Sequence, residues 1–397
     1  MAVLKLRLNI LEKMWTFKSY QVVLLLGAAL AVVAFYYFGS ERENFSSTTK
    51  RIKQSQASHN SNRNDASPPL HASPEHPEAD GSKDEEQETQ RRSASSGPQG
   101  AEHYHMLMMF TKVNKNRGLQ EKFQVAMRSM VKHGSFFDRE VLVFHFVSDD
   151  ASRRLAEKML PELLTGASFH YEVVFHDVAL LTEKLFPIVE AMQKHFSAGS
   201  GAYYSDAIFF LSVAMHRIMS SDLKCILQLD LDLQFRSNIR DLFQEFDSFP
   251  SGAVIGIVRE MQPVYRHTFW QYRKENPKSK VGDPPPDGKP GFNSGVMLLH
   301  LEAMRHSALY NQLLEPKRVA ELAEQYHFRG HLGDQDFFTM IGMEHPDLFH
   351  PLSCGWNRQL CTWWREHGYG DIFESYYRCE DTVHIYHGNC NTPIPDD

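Results

Sequence analysis

The residues that could do chemistry begin with two carboxylates, Asp230 and Asp232, one residue apart in the run LQLDLDL at 227–233. They follow directly on the apolar stretch 225–229, where a buried strand leaves its sheet and side chains can face a ligand. Two acidic groups at such an exit offer hard oxygen donors to a divalent cation, whose open positions take diphosphate oxygens. An ion held there neutralises charge that accumulates on a departing diphosphate. Alone the pattern is weak: Asp334-Gln335-Asp336 repeats it, and strand-end aspartates also make turns and helix caps. A third ligand is expected, and the tail VHIYHGNCNTP at 383–393 carries two histidines. His387 is the expected ligand, because Gly388 after it lets a loop approach phosphate closely. His384 is its competitor, but alternates with Val383 and Ile385 as a strand residue does. A mixed oxygen and imidazole set suits Mn2+, with Mg2+ as a substitute.

These groups need a scaffold. From Tyr104 onward short apolar runs alternate with helical spacing, the signature of an α/β domain. Strands buried on both faces are predicted at 104–110, 141–147 and 171–175, and helices at 119–131 and 152–164. A helix at 205–219 should feed the strand at 225–229, and strands at 253–258 and 296–301 extend the sheet. The result is a Rossmann-like, nucleotide-binding arrangement with its ligand at the carboxyl ends of the strands. The segment GDPPPDGKPG at 282–291 reads as a loop beside that ligand.

Ahead of this domain, residues 20–38 carry no charge and approach the roughly 20 residues a helix needs to cross a bilayer. Lys5, Arg7, Lys13 and Lys18 precede the run and Glu41 and Glu43 follow it, which leaves residues 1–19 as a cytoplasmic tail and everything after the anchor lumenal. Asn44-Phe45-Ser46 is then a glycosylation sequon in a suitable compartment. Residues 39–102 are rich in Ser, Asn, Pro, His, Glu and Gln and read as a flexible stem, which leaves 103–397 for the catalytic domain. A net charge of -7 offers no basic field for a polyanion, so no nucleic-acid partner is expected. Of five cysteines, Cys225 lies in an apolar run and reads as a buried free thiol. Cys354, Cys361, Cys379 and Cys390 cluster near the end, with no Cys-x-x-Cys pair, and read as two disulfides rather than a zinc site. Three pairings are open; Cys354 with Cys379 and Cys361 with Cys390 is the expected one.

Seven motifs in order carry a resemblance: MMFTK (108–112), HFVSDD (145–150), SDAIFF (205–210) ahead of LQLDLDL, GFNSGVMLL (291–299), HLGDQDFFT (331–339), GWN (355–357) and HGNCNTP (387–393). The chain resembles the retaining GT-A glycosyltransferases related to glycogenin and to bacterial lipopolysaccharide galactosyltransferases, glycosyltransferase family 8. The resemblance implies a GT-A mixed sheet flanked by helices and a metal held by Asp230, Asp232 and His387. It further implies that Phe110, Thr111 and Lys112 line the uridine pocket, with Asp206 near ribose or sugar. Leu231, Asn293, Ser294, Gly295 and Gly388 would meet the donor, and Asp334 and Gln335 would bracket the transferred sugar. The family's usual ending, His-x-x-Gly-x-x-Lys-Pro-Trp, is broken here: Cys390 stands where Gly is expected and Asn391-Thr392-Pro393-Ile394 replaces the basic end. That removes a lysine from the phosphate.

Within the family, REMQPVYRHTFWQ (259–271), VGDPPPDGKPGFNSGVML (281–298) and NRQLCTWWREHGY (357–369) are similar to members that extend xylosyl-glucose. This implies UDP-xylose as donor and, as acceptor, the O-linked Xyl-α1,3-Glc disaccharide on EGF-like repeats of secretory-pathway proteins such as Notch. With no carboxylate nucleophile standing out, a front-face path is expected in which a β-phosphate oxygen takes the acceptor proton. Trp364, Trp363, Trp270 and Asn357 are the acceptor-side candidates, since aromatic anchors suit interfaces. The alternatives are another UDP-hexose-dependent transferase of the family, or a catalytically silent glycan-binding membrane protein. Residence in the endoplasmic reticulum membrane, single-pass type II, is expected, with the Golgi second.

Overall fold

The apolar runs of the sequence become the inner strands of an eight-stranded mixed sheet. The computed structural model describes Arg92–Ser93 and residues 100–197 and 206–395. The expected anchor at 20–38, the Asn44 sequon and nearly all of the stem lie outside these residues. Among the described residues no helix is long and apolar enough to cross a membrane.

The strands are β1 (Arg92–Ser93), β2 (Glu102–Phe110), β3 (Glu140–Ser148), β4 (His170–Asp177), β5 (Ile226–Leu229), β6 (Leu233–Phe235), β7 (Ile255–Arg259), β8 (Phe292–Leu299), β9 (Phe349–Leu352), β10 (Arg358–Gln359) and β11 (Ile385–His387). The large sheet runs β1-β4-β3-β2-β5-β8-β7-β9. From β4 to β5 neighbours are parallel, whereas β8 is antiparallel to both β5 and β7. The chain moves outward from β2 through β3 to β4 and then returns to lay β5 on the other side of β2. The order therefore reverses between β2 and β5, and there the carboxyl ends of the strands open a crevice.

Alternation along each strand fills two cores. Met106, Met108 and Phe110 join Phe144, Phe146, Leu227 and Leu229 on one face, while Leu107, Val147, Ile226, Ile255 and Met297 join the other. The first face packs on α1 (Arg117–His133), capped by the Asn116 side chain, and α2 (Asp150–Leu163), capped by Asp149. The second packs on α3 (Phe186–Phe196), α4 (Pro316–Gln325) and α5 (Asp334–Glu344). A second sheet of three short strands, β10-β11-β6, joins the tail to the residues just past β5.

Three expectations are corrected. The helix at 205–219 is instead two 3-10 segments, Ala207–Phe210 and Ser212–Arg217. Side chains divert the backbone carbonyls a longer helix would use: Tyr310 Oη donates to Val213 O at 2.7 Å, and Arg305 Nε donates to His216 O at 3.0 Å. The strand at 171–175 is not buried on both faces, since only Val174 in β4 is fully inside; its outer neighbour is the two-residue β1. Cys225 is free but partly exposed, one residue before β5. The segment at 282–291 is a loop, as read, with Asp283 held by Arg266 and Arg273.

Candidate active site

Two strand exits at the crevice supply most of the site. β2 ends at Phe110, whose ring is wholly inside, packed at 4.6 Å on Phe123 and 5.9 Å on Phe146. Its side chain therefore cannot line a uridine pocket as expected. Thr111 and Lys112 follow at the rim, and Lys112 adopts a left-handed φ of 58°. That turn is pinned from the next strand, since Asp149 Oδ2 accepts from Lys112 N at 2.7 Å while its other oxygen caps α2. Burial pushes the Asp149 carboxyl up, but donors from Lys112, Ser152 and Ala151 outweigh it and hold it low. The Lys112 ammonium pairs with Asp206.

β5 ends at Leu229, and Asp230 N donates to Gly295 O at 2.9 Å, which ties the first carboxylate to β8. Leu231 is buried between the two aspartates. His387 closes the group from the other end of the chain: its Nε2 lies 3.6 Å from Asp230 Oδ2 and 3.3 Å from Asp232 Oδ1. It is the last residue of β11 rather than part of a loop, and Gly388 N donates to Asp232 O at 2.8 Å. His384 faces elsewhere, stacked at 4.2 Å on Trp356 with Nδ1 on Ser237 Oγ. A Cβ on Gly295 would run into the His387 ring, which accounts for glycine there.

The donor set fits a hard divalent ion. Asn357 Oδ1 lies 2.9 Å from His387 Nδ1, so Nδ1 carries the proton and Nε2 is left for a metal between two carboxylates. Surrounding protein, with the charges of Asp232 and Asp334, pushes Asp230 up against the pull of His387, although its side chain is 50% exposed to the crevice. Burial also opposes ionisation of Asp232, but His387 and then Lys122 hold it well below the usual carboxylate range. Burial works against a charged His387, yet the two carboxylates raise it.

Beside this group, β8 carries a bulge: its register against β7 jumps between Ile257 and Val258, across Ser294, Gly295 and Val296. Ser294 Oγ donates to Asp334 Oδ1 at 3.1 Å and Ser294 N to Gln335 Oε1 at 3.2 Å, so the bulge and the start of α5 are locked together. Asp334 also accepts from Ser212 Oγ. It is the first residue of α5 and not its cap, which is Gly333 at φ 74°. Burial pushes the Asp334 carboxyl up to about 6. Asn293 and Gln335 both donate side-chain N–H groups to Glu260.

Asn357, expected to meet the acceptor, is fully buried between Asn293 and His387 and has no surface to offer one. The aromatic candidates differ. Trp363 and Trp270 are 51% and 59% exposed. Trp364 is half-buried, 5.2 Å from both His267 and Tyr369. Both tail crosslinks have the expected pairing, Cys354 with Cys379 and Cys361 with Cys390. The sequence reading missed Lys122, in mid-α1, whose Nζ lies 3.3 Å from Asp232 Oδ2 and 3.0 Å from Asn391 Oδ1. No motif marks it; only the packing of α1 against β6 brings it there.

A nucleotide crevice at a chain reversal, rimmed by a carboxylate pair and a histidine, defines a metal-assisted sugar-nucleotide site, and the chain belongs to glycosyl transferase family 8, which it matches over residues 110–373. Enzymes of this family generally use a divalent metal. The chain is similar to xyloside xylosyltransferase 1 of Homo sapiens, 62% identical over 381 residues that cover 96% of this chain and 95% of that one. It is 61% identical over 388 residues to xyloside xylosyltransferase 1 of Mus musculus, covering 98% and 97%. The crystal structure of the mouse protein in its apo form superimposes with a TM-score of 0.70 at 67% identity, covering 74% of this chain and 99% of that one.

Proposed function

We propose that this enzyme is a xylosyltransferase that moves xylose from UDP-xylose, with retention, to the 3-OH of the xylose in O-linked Xyl-α1,3-Glc on EGF-like repeats of the Notch type. The observation that carries the reading is the convergence of Asp230, Asp232 and His387 beside Asp334 and Gln335 at one crevice. The similarity to xyloside xylosyltransferases supports the choice of sugar. Asp230, Asp232 and His387 hold the ion, for which Mn2+ is the choice and Mg2+ the substitute; when bound it supplies positive charge to the diphosphate.

The protein's own groups do the rest. Thr111 and Lys112 meet the nucleotide, and Asn293, Ser294, Gly295 and Gly388 shape the backbone around diphosphate and sugar. Gln335 orients its amide toward the face of the sugar where positive charge develops. An amide makes a poor nucleophile, so the bond from the anomeric carbon to phosphate breaks on the face where the acceptor oxygen bonds. The acceptor's proton passes to the departing β-phosphate oxygen. Trp364, Trp363 and Trp270 offer aromatic surface to the glycosylated repeat. The setting is the endoplasmic reticulum membrane, with the catalytic domain lumenal on a single type II anchor at 20–38.

The test offers UDP-xylose, UDP-glucose and UDP-galactose to the purified chain, with a xylosyl-glucosyl EGF repeat as acceptor and Mn2+ or a chelator present. Transfer from UDP-xylose that the chelator abolishes is expected. Efficient transfer from UDP-glucose alone ends the xylose reading. Absence of any metal-stimulated UDP release points instead to a glycan-binding protein on a glycosyltransferase fold.

A further inference from the structure

We infer that Glu260 is a positioning residue that sets, through one shared oxygen, the orientation of both Gln335 and the Asn293-Asn357-His387 chain behind the metal site; this rests on the reading of the site given above. Glu260 follows β7 directly and is only 3% exposed. Its Oε2 accepts from Asn293 Nδ2 at 3.1 Å and from Gln335 Nε2 at 3.2 Å.

An amide that spends its N–H on Glu260 must turn its oxygen the other way. Asn293 Oδ1 then accepts from Asn357 Nδ2 at 2.9 Å and from Gly295 N at 3.1 Å. Asn357, having donated its N–H, presents Oδ1 to His387 Nδ1 at 2.9 Å and so fixes the tautomer that leaves Nε2 facing Asp230 and Asp232. Gln335 is turned by the same logic, with Oε1 on Ser294 N at 3.2 Å. Flipping either amide would set an oxygen against the Glu260 carboxylate and an N–H against a backbone N–H.

Glu260 is almost wholly buried, and taking a carboxylate out of water is a cost that an apolar side chain would avoid. Burial pushes the carboxyl up to about 7, and Oε2 remains an acceptor whether or not Oε1 holds a proton. Glu260 is thus poorly explained as a contribution to stability and well explained as the shared acceptor of two site amides.

The test compares Glu260→Leu, Glu260→Gln and Glu260→Asp in the full chain. Mn2+ binding is read from the loss of the free-ion electron paramagnetic resonance signal without donor or acceptor, alongside kcat, KM for UDP-xylose and thermal unfolding. E260L removes the acceptor; kcat should fall and the Mn2+ Kd rise by about 10–100-fold each, with a smaller change in KM. E260Q keeps an oxygen for both amides and should stay within roughly threefold of wild type on both readouts. A folded E260L with wild-type kcat and Mn2+ affinity overturns the inference, as does an E260Q as impaired as E260L. Should E260L not fold, E260D decides: it keeps the charge but withdraws the oxygen by one methylene, so a loss of about tenfold or more in kcat is expected and an unchanged rate overturns the proposal. A wild-type chain that neither binds Mn2+ nor turns over UDP-xylose refutes the site reading and this inference with it; an active wild type with an indifferent E260L removes Glu260 alone.

Discussion

Lys122 and Asp336 are two ionisable groups whose roles follow from what surrounds them. The tail lacks the lysine that the resemblance implies, and Lys122 reaches the metal group from α1, against Asp232 and Asn391. A hydrogen bond to a charged group contributes about 1.5–3 kcal/mol, so Lys122→Met should weaken UDP binding at fixed Mn2+ by about tenfold or more, with Lys122→Arg closer to wild type. Calorimetric titration of UDP checks this, and an unchanged Kd in K122M would exclude Lys122 from the diphosphate site. Asp336, 1% exposed, accepts from Tyr265 Oη at 2.9 Å and Leu332 N at 2.7 Å, and burial pushes its carboxyl up to about 7. Its unfolded value is about 4, so the folded state binds the proton more tightly. The stability this provides is complete below about pH 4 and is lost as pH rises through 7. Asp336→Asn does not titrate. Its stability relative to wild type should therefore improve between pH 5 and pH 7, by at most about 1.4 kcal/mol per pH unit. Thermal unfolding at several pH values measures the gap, and a constant difference refutes the assignment.

Among the elements, β11 decides whether the metal group is complete. Its three residues pair antiparallel with β6 and its last two parallel with β10, and the crosslink from Cys361 to Cys390 closes just past His387. The other crosslink, Cys354 to Cys379, lies before the strand. Their loops span similar separations, 29 and 25 residues, so chain entropy assigns both a similar stabilisation of about 3–4 kcal/mol. Their effects on the site should differ: C361S/C390S should raise the Mn2+ concentration for half-maximal activity well beyond the C354S/C379S pair at matched loss of Tm. Equal shifts from both pairs would mean that the tail needs no such fastening. These short strands were also the least legible elements, since two or three residues carry no period to read. By contrast β2, β3 and β5 were plain as unbroken apolar runs, their ends displaced by a few residues at most. The segment before β5 misled because its apolar residues suit any buried element, while the side chains that take its carbonyls, Tyr310 and Arg305, come from about a hundred residues further on.

At the scale of the whole molecule, legibility follows distance along the chain. Asp230 and Asp232 announce themselves by standing at the end of a strand. Asn357 reads from sequence as an acceptor contact, and nothing in the sequence marks Glu260 or Lys122, because what each does is set by partners that only folding assembles. The order in which those partners are made has its own consequence. A ribosome delivers the large sheet, the crevice and both aspartates long before it delivers the histidine that completes the ion's cage. The ion's cage is thus completed only when the last residues arrive, and a premature stop shortly before β11 removes His387 together with Cys390, the partner of Cys361.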